Sequence, residues 1–482
     1  LGAEAFSAFD DSVCAAFSDI TSIWPSPAQW ARATRGVKVG GCGLRSAGRH
    51  SPAAYVASAV ATFPACSEVD PLFGRSGSAA AAALTHAMAT LNSMLPAASQ
   101  LDVEGFKQPQ RALSRLLDVA CFDHDILTHP LAADRAQLRD EALPGAGDFL
   151  QTIPSVELRL AFRPVEFVIE LKRRLLVDIH SHVRPCPECN APMDRRALHA
   201  LRCPCGGDRT RWHHVLRNHF AQLCEGRGLQ AEVESPHLLL PDIDHPAQEE
   251  RRPADVFLPV WVKRCPAAFD FAITSPHRLD IIHRAAQQGG FAAADYEGFK
   301  RTFRDTADQC ARDGISFVPM VFTPSGACGP SARAVFRKLT GAGSDPRGGG
   351  RSGLALRVRQ KWCVLVRKQA ARTVLRRMAV GVGSSAAEEP PSVGAAASAA
   401  AVAESSFLAS QLARSARRLP PASSSRPSSA CHPPPLAGCG AQMNAAVLGC
   451  PSATALTHTL APALAAASVT PLACTLSSPH PD

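Results

Sequence analysis

Residues 186–214 read CPECNAPMDRRALHALRCPCGGDRTRWHH, which places four cysteines and three histidines within thirty residues. The spacing Cys186-x2-Cys189-x9-His199-x3-Cys203 suits a tetrahedral structural zinc site. A CxxC turn presents two thiolates to one side of the ion, and HALRC returns an imidazole and a third thiolate. Cys205 is an alternative to Cys203 as the fourth ligand. The competing reading, buried free cysteines, fits poorly with the proline and polar neighbours in CPEC and RCPCGGD. His213 and His214 come too late to complete the same tetrahedron and need another explanation.

A second candidate constellation lies downstream. Asp255 in RRPADVFLPVW and Asp270 in PAAFDFAITS are separated by fourteen residues, enough for two adjacent strands joined by a turn around Lys263 and Arg264. Each carboxylate interrupts an apolar run, where a charge is costly unless it faces solvent or binds a cation. Side by side, the two would form a hard oxygen site for Mg²⁺ or Mn²⁺. With Glu234 from the preceding strand and a lysine to position water, the set fits metal-assisted phosphodiester hydrolysis. Lys300 in YEGFKRTF is the candidate lysine and Lys263 the alternative. The plainer reading makes Asp255 and Asp270 solvent-facing strand ends, with Glu297 and Lys300 an ordinary helical pair.

The elements that must hold these residues follow from periodicity. Residues 1–183 read as mostly helical, with candidate helices at 51–63, 108–127 and 164–182. In the last, Pro164 stands at the first turn and Phe167, Leu171 and Leu175 share a face. After the cysteine cluster, TRWHHVLRNHFAQLCEGRG reads as a helix burying Val215, Leu216, Phe220 and Leu223. Strand-like runs follow in LQAEVES, RPADVFLPVW and AAFDFAITS. DYEGFKRTFRDTADQCARDG then reads as one amphipathic helix with Tyr296, Phe299, Phe303, Ala307 and Cys310 in a stripe, stopped by Gly314. ISFVPMVF is a buried strand and SARAVFRKLTGAG a closing helix. The order helix, three strands, helix, strand, helix predicts an α+β or α/β unit over 210–345.

At 482 residues the chain exceeds one ordinary domain. We expect a helical region over 1–183, a zinc knuckle over 184–209, the mixed unit over 210–345, a basic helix over 346–382 and a disordered Ala/Ser/Pro-rich tail over 383–482. Seventeen cysteines scattered along the chain, with a single cluster, favour reduced thiols and one metal site over a disulfide framework. No signal peptide or membrane-spanning run is visible, so no membrane partner is expected. Between 351 and 380 there are nine Lys or Arg and no acid, equal to the whole net charge of +9. That segment reads as a nucleic-acid arm, as a solvated basic helix whose apolar residues pack on the domain, or, as a third option, as a membrane-surface helix. The first residue is Leu rather than Met, which we read as a partial sequence.

Taken together, CPECN..MD....HALRC, GGDRTRWHH, RRPADVFLPVW and AAFDFAITSP resemble the C-terminal region of a non-LTR retrotransposon polyprotein with a restriction-like endonuclease. In that family a CCHC knuckle leads into a PD-(D/E)xK nuclease. RWHH at 211–214 resembles its first motif, with His214 where the family often has Asn or Asp. RPAD and Asp270 resemble its second, with Ala254 inserted between Pro253 and Asp255. GGCGLRSAGRHSPAAYVAS (40–58) and GAGDFLQTIPS (145–155) are similar to segments between polymerase and knuckle.

The resemblance implies a restriction-like fold and a DNA endonuclease in which Asp255, Asp270 and Glu234 hold Mg²⁺ or Mn²⁺. Lys300 would position water, and His213 with Arg211 would bind phosphate or complete the site. It further implies a structural Zn²⁺ knuckle gripping nucleic acid through Arg195, Arg196, Arg202, Arg209 and Arg211. DNA and the element RNA would be the partners, and the nucleus the location. No polymerase motif is visible, since AFDD at 8–11 lacks the aromatic, so we expect a truncated chain without reverse transcriptase activity. A catalytically decayed, zinc-dependent nucleic-acid-binding remnant is the alternative.

Overall fold

The computed structural model describes residues 3–73, 77–102, 109–236, 238–239, 253–341 and 351–379. The tail expected over 383–482 lies outside them. Seven helices come first: α1 (Ala3–Thr21), α2 (Pro27–Ala33), α3 (Ala47–Val69), α4 (Ala79–Ser93), α5 (Gln110–Thr128), α6 (Ala132–Glu141) and α7 (Pro164–Leu175). Their starts are written locally. In α2, Ser26 and Gln29 form a reciprocal capping box with Pro27 in the first turn. At α3, Asp10 accepts from Ala47 N at 2.7 Å and Ser46 Oγ at 2.6 Å, so the AFDD segment has a structural employment.

Helix α7 ends well before residue 182. Leu176 adopts a left-handed conformation (φ 56°) and Val177 N donates to Lys172 O, closing the helix. The chain then crosses to the cysteine cluster, where Ile179 N and His180 N both donate to Arg195 O at 2.8 Å. A tertiary anchor thus replaces the last helical turns that periodicity predicted.

The cluster is framed by a short hairpin, β1 (Arg184–Pro185) and β2 (Pro192–Met193). Then come α8 (Asp208–Glu225), β3 (Glu232–Val233), β4 (Val256–Leu258), β5 (Ala267–Ile273), α9 (Ile282–Gln287), α10 (Phe291–Thr302), α11 (Thr306–Arg312), β6 (Ser316–Phe322), α12 (Pro330–Thr340) and α13 (Arg351–Ala379). The strands form one mixed sheet in the order β3-β4-β5-β6, with the first two pairings antiparallel and β5–β6 parallel. The protein is therefore a mixed α+β structure, and the described residues belong to one compact unit spanning Leu1–Glu388. No helix among them is long and apolar enough to cross a membrane.

Strand alternation assigns the two faces of the sheet. Phe269 and Phe271 enter the largest core with Phe220 of α8, Phe336 of α12 and Trp362 of α13. Ala268 and Ala272 pack on the other side against α10 and α11. The helix expected over 295–314 is broken: Arg304 and Asp305 take left-handed conformations between α10 and α11. The predicted stripe splits accordingly. Ala307 and Cys310 pack inward, whereas Phe299 and Phe303 are nearly half exposed.

Helix α13 packs on the body of the protein along much of its length. Trp362, Val364, Val366, Ala370 and Val374 are buried, and so are Arg367 and Arg377. Arg367 donates to Glu170 Oε2 at 2.8 Å, to Ala146 O, and to Glu141 of α6. Arg174 bonds the same Glu141 at 2.8 Å and also Gly41 O and Val37 O, while Arg173 meets Glu170 at 2.6 Å. Burial alone would raise the Glu141 carboxyl, but Arg367 and Arg174 outweigh it and hold the group below its ordinary range.

Two stability effects follow. Arg367→Leu leaves Glu141 and Glu170 short of a buried partner, and chemical denaturation should show a loss of about 3–5 kcal/mol. Asp140 behaves oppositely. Burial pushes its carboxyl up to about 6, so the folded state keeps a proton that the unfolded chain releases near pH 4, and stability falls as pH rises between those values. Asp140→Asn should therefore gain about 1–3 kcal/mol at pH 7.5, a gain that disappears when unfolding is repeated at about pH 4.

Candidate functional site

The cysteine cluster is built by two turns. The β1–β2 hairpin carries a tight turn in which Asn190 N donates to Cys186 O and Cys186 N to Ala191 O, with Asn190 at φ 58°. Asp194 then caps the short 3₁₀ turn Leu198–Leu201, accepting from His199 N at 3.1 Å and Leu198 N at 3.2 Å. Cys203 N donates to His199 O, which folds the second pair of ligands back on the first.

As a result one ligand atom from each of Cys186, Cys189, His199 and Cys203 lies within 4.8 Å of the others. Cys189 Sγ is 3.1 Å from His199 Nε2 and 3.6 Å from Cys203 Sγ. Ligands around one tetrahedral zinc stand roughly 3.3–3.8 Å apart given Zn–S and Zn–N lengths. The four can hold a metal ion, and the donor set is compatible with zinc. Cys205 is exposed and outside the cluster. Its carbonyl instead accepts from Arg377, whose guanidinium also binds Asp208 at 2.5 Å. The cluster is thereby clamped to α8 and α13.

The carboxylates meet at the start of β4. Register pairs Val256 with Phe269, which sets Asp255 opposite Asp270 on the α10 side of the sheet. Asp255 N donates to Phe269 O, and Asp255 Oδ2 accepts from Phe271 N at 2.5 Å. Lys300 Nζ stands 3.0 and 2.9 Å from the two oxygens of Asp270. His213 Nε2 is 2.8 Å from Asp255 Oδ2. Burial pushes the Asp270 carboxyl up to about 6, with Lys300 opposing and Asp255 adding to the shift. Burial alone would lower the Lys300 ammonium, yet the facing Asp270 holds it above its ordinary value.

Each partner is fixed from behind. Three residues along α10 from Lys300, Glu297 caps α12, accepting from Ser331 N at 3.1 Å and Ser331 Oγ at 2.7 Å. Helix α8 presents His213 and, one turn on, Arg217 to the adjoining ends of β4 and β3. Arg217 pairs with Glu234, and Glu234 N donates to Asp255 O.

Four of the five expected site residues, His213, Asp255, Asp270 and Lys300, are thus brought together. The side chain of the fifth, Glu234, is engaged by Arg217. Lys263 is exposed on the β4–β5 turn, beyond the far end of that pairing from the carboxylates. Sequence reasoning missed Arg217 and Asp208. The i,i+4 spacing of His213 and Arg217 was the available signal for the first.

The five arginines expected to contact nucleic acid divide. Arg209 and Arg211 are exposed, and each bonds a local carbonyl, of Arg202 and Gly206 respectively. Arg195 is 55% exposed and pairs with Asp178. Arg196 is drawn inward to Asp134 of α6, and Arg202 is half-buried, donating to His277 O. The last two serve to hold the cluster on the body of the protein.

No family model matches this chain, and no curated protein matches it. The cluster gives a direct expectation: Cys203→Ser should lose most of the bound metal and Cys205→Ser should retain it. Elemental analysis of purified protein measures both, and equal metal content in the two would remove Cys203 from the ligand set.

Proposed function

We propose that this chain is a metal-dependent DNA endonuclease, nicking target DNA, with a structural zinc knuckle that helps hold nucleic acid. The observation that carries the reading is the meeting of His213 of α8, Asp255 at the start of β4, Asp270 of β5 and Lys300 of α10. The motif resemblance supports the origin of the chain in a non-LTR retrotransposon polyprotein with a restriction-like nuclease fold. In that setting DNA and element RNA are the partners and the nucleus is the place of action.

The two facing carboxylates offer the hard oxygen ligands that Mg²⁺ or Mn²⁺ requires. A divalent cation held there would supply electrophilic stabilisation of the departing 3′ oxygen. Lys300, kept charged by Asp270, would position the attacking water and offset negative charge on the non-bridging phosphate oxygens. His213 would fix the orientation of Asp255. Arg195, Arg209 and Arg211 would supply backbone contacts to the duplex, which position the substrate without reading sequence.

The engagement of Glu234 by Arg217 favours a second reading, a zinc-dependent nucleic-acid-binding remnant without catalysis. A plasmid assay separates them. Purified chain incubated with supercoiled DNA and Mg²⁺ or Mn²⁺ should give nicked circles. Asp255→Ala, Asp270→Ala and Lys300→Ala should each slow the reaction by at least about a hundredfold while retaining DNA binding. If the wild-type chain and Asp255→Ala nick alike, the nuclease reading is lost. Binding without nicking supports the remnant.

A further inference from the structure

A cavity of about 600 Å³ lies away from the carboxylates, where the end of β6 meets α12 and α13. Phe322 lines it and belongs to the core on the sheet face opposite to that of Asp270. Phe336 and Trp362 line it as well, and Arg333, Arg337 and Arg359 bring three guanidinium groups to it. The volume falls within the range of small-molecule sites.

Charge and hydrogen bonding give the cavity a chemistry. Arg359 is half exposed and shares its charge with Asp148 at 3.1 Å. The exposed guanidinium groups of Arg333 and Arg337, one turn apart on α12, have neither an ion pair nor a hydrogen bond among the described residues. Trp362 is 2% exposed, with its ring stacked on Phe322 at 5.1 Å, and its indole Nε1 is buried without an acceptor. An apolar interior and an excess of cationic donors together ask for one kind of occupant.

We propose that this cavity binds a small organic anion, a flat apolar body bearing a phosphate-type head group. The body lies against Phe336 and the edge of Trp362. The head accepts from Arg333 and Arg337, whose fork geometry matches phosphate oxygens. The site is independent of the nuclease reading, since none of its residues belongs to the Asp255–Asp270 cluster.

Calorimetry on the full chain tests this with 1-naphthyl phosphate, 1-naphthol and inorganic phosphate as probes. The ester should bind one to one, about tenfold or more tighter than either half, because both features are used. Arg333→Gln combined with Arg337→Gln, substitutions on the exposed face of α12, should weaken the ester about tenfold or more while leaving thermal stability unchanged. The Trp362 indole N–H resonance, identified by its loss in Trp362→Phe, should shift on binding. Asp255→Asn with Asp270→Asn should bind the ester as the wild type does. No measurable ester binding, equal binding of the ester and free phosphate, or unchanged affinity in the arginine variant would each overturn the proposal. So would loss of affinity confined to the aspartate variant, which would put the probe at the Asp255–Asp270 cluster.

Discussion

Arg367 is the constraint on which the rest of the structure leans. Its guanidinium is fully buried, lies 4.3 Å from the centre of the Phe149 ring, and is bound by Glu141 of α6 and Glu170 of α7. Burying such a charge is tolerable only when geometry and hydrogen bonds are complete. Here Arg174, Arg173 and the carbonyls of Gly41, Val37 and Ala146 complete them. An apolar contact would let α13 slide or rotate; this network fixes its register against the N-terminal helices. The same helix inserts Trp362 into the sheet's aromatic core and sends Arg377 to Asp208 and the Cys205 carbonyl. Three parts of the chain are thereby held by one rod.

That rigidity explains how a short sheet can carry charged side chains. β4 has only three residues, yet Asp255 is held by its backbone bond to Phe269, by Phe271 N and by His213. Asp270 sits at the middle of β5, flanked by β4 and β6, with Lys300 over it. The apolar face of the sheet, Phe269 and Phe271 against Phe220 and Trp362, supplies the burial that fixes the strand register. The polar face inherits its geometry from that register.

Much of this was legible in the sequence because it depends on local pattern. The order of α8, β3, β4, β5, α10, β6 and α12 followed from changes in period, and alternation in AAFDFAI assigned Phe269 and Asp270 to opposite faces. The ligand spacing singled out Cys186, Cys189 and His199, but could not choose between Cys203 and Cys205. That choice depends on the turn capped by Asp194. Periodicity overran α7, since the chain beyond the left-handed Leu176 is drawn away by a tertiary partner, Arg195 O, which accepts from Ile179 N and His180 N. It also merged α10 with α11, because nothing local marks Arg304 and Asp305 as left-handed. The fate of the basic residues was hidden for the same reason. Charge counting cannot tell an arginine in water from one that satisfies a glutamate 226 residues away.

That separation has a bearing on how the chain comes to be folded. Synthesis proceeds from the N-terminus at about 5–20 residues per second, and early segments fold as they emerge. Glu141, Glu170 and Asp208 are made long before Arg367 and Arg377, so for a time Glu141 and Glu170 have only Arg174 and Arg173 as ion-pair partners, and Asp208 lacks Arg377. The buried network is therefore complete only once the last described helix has been made.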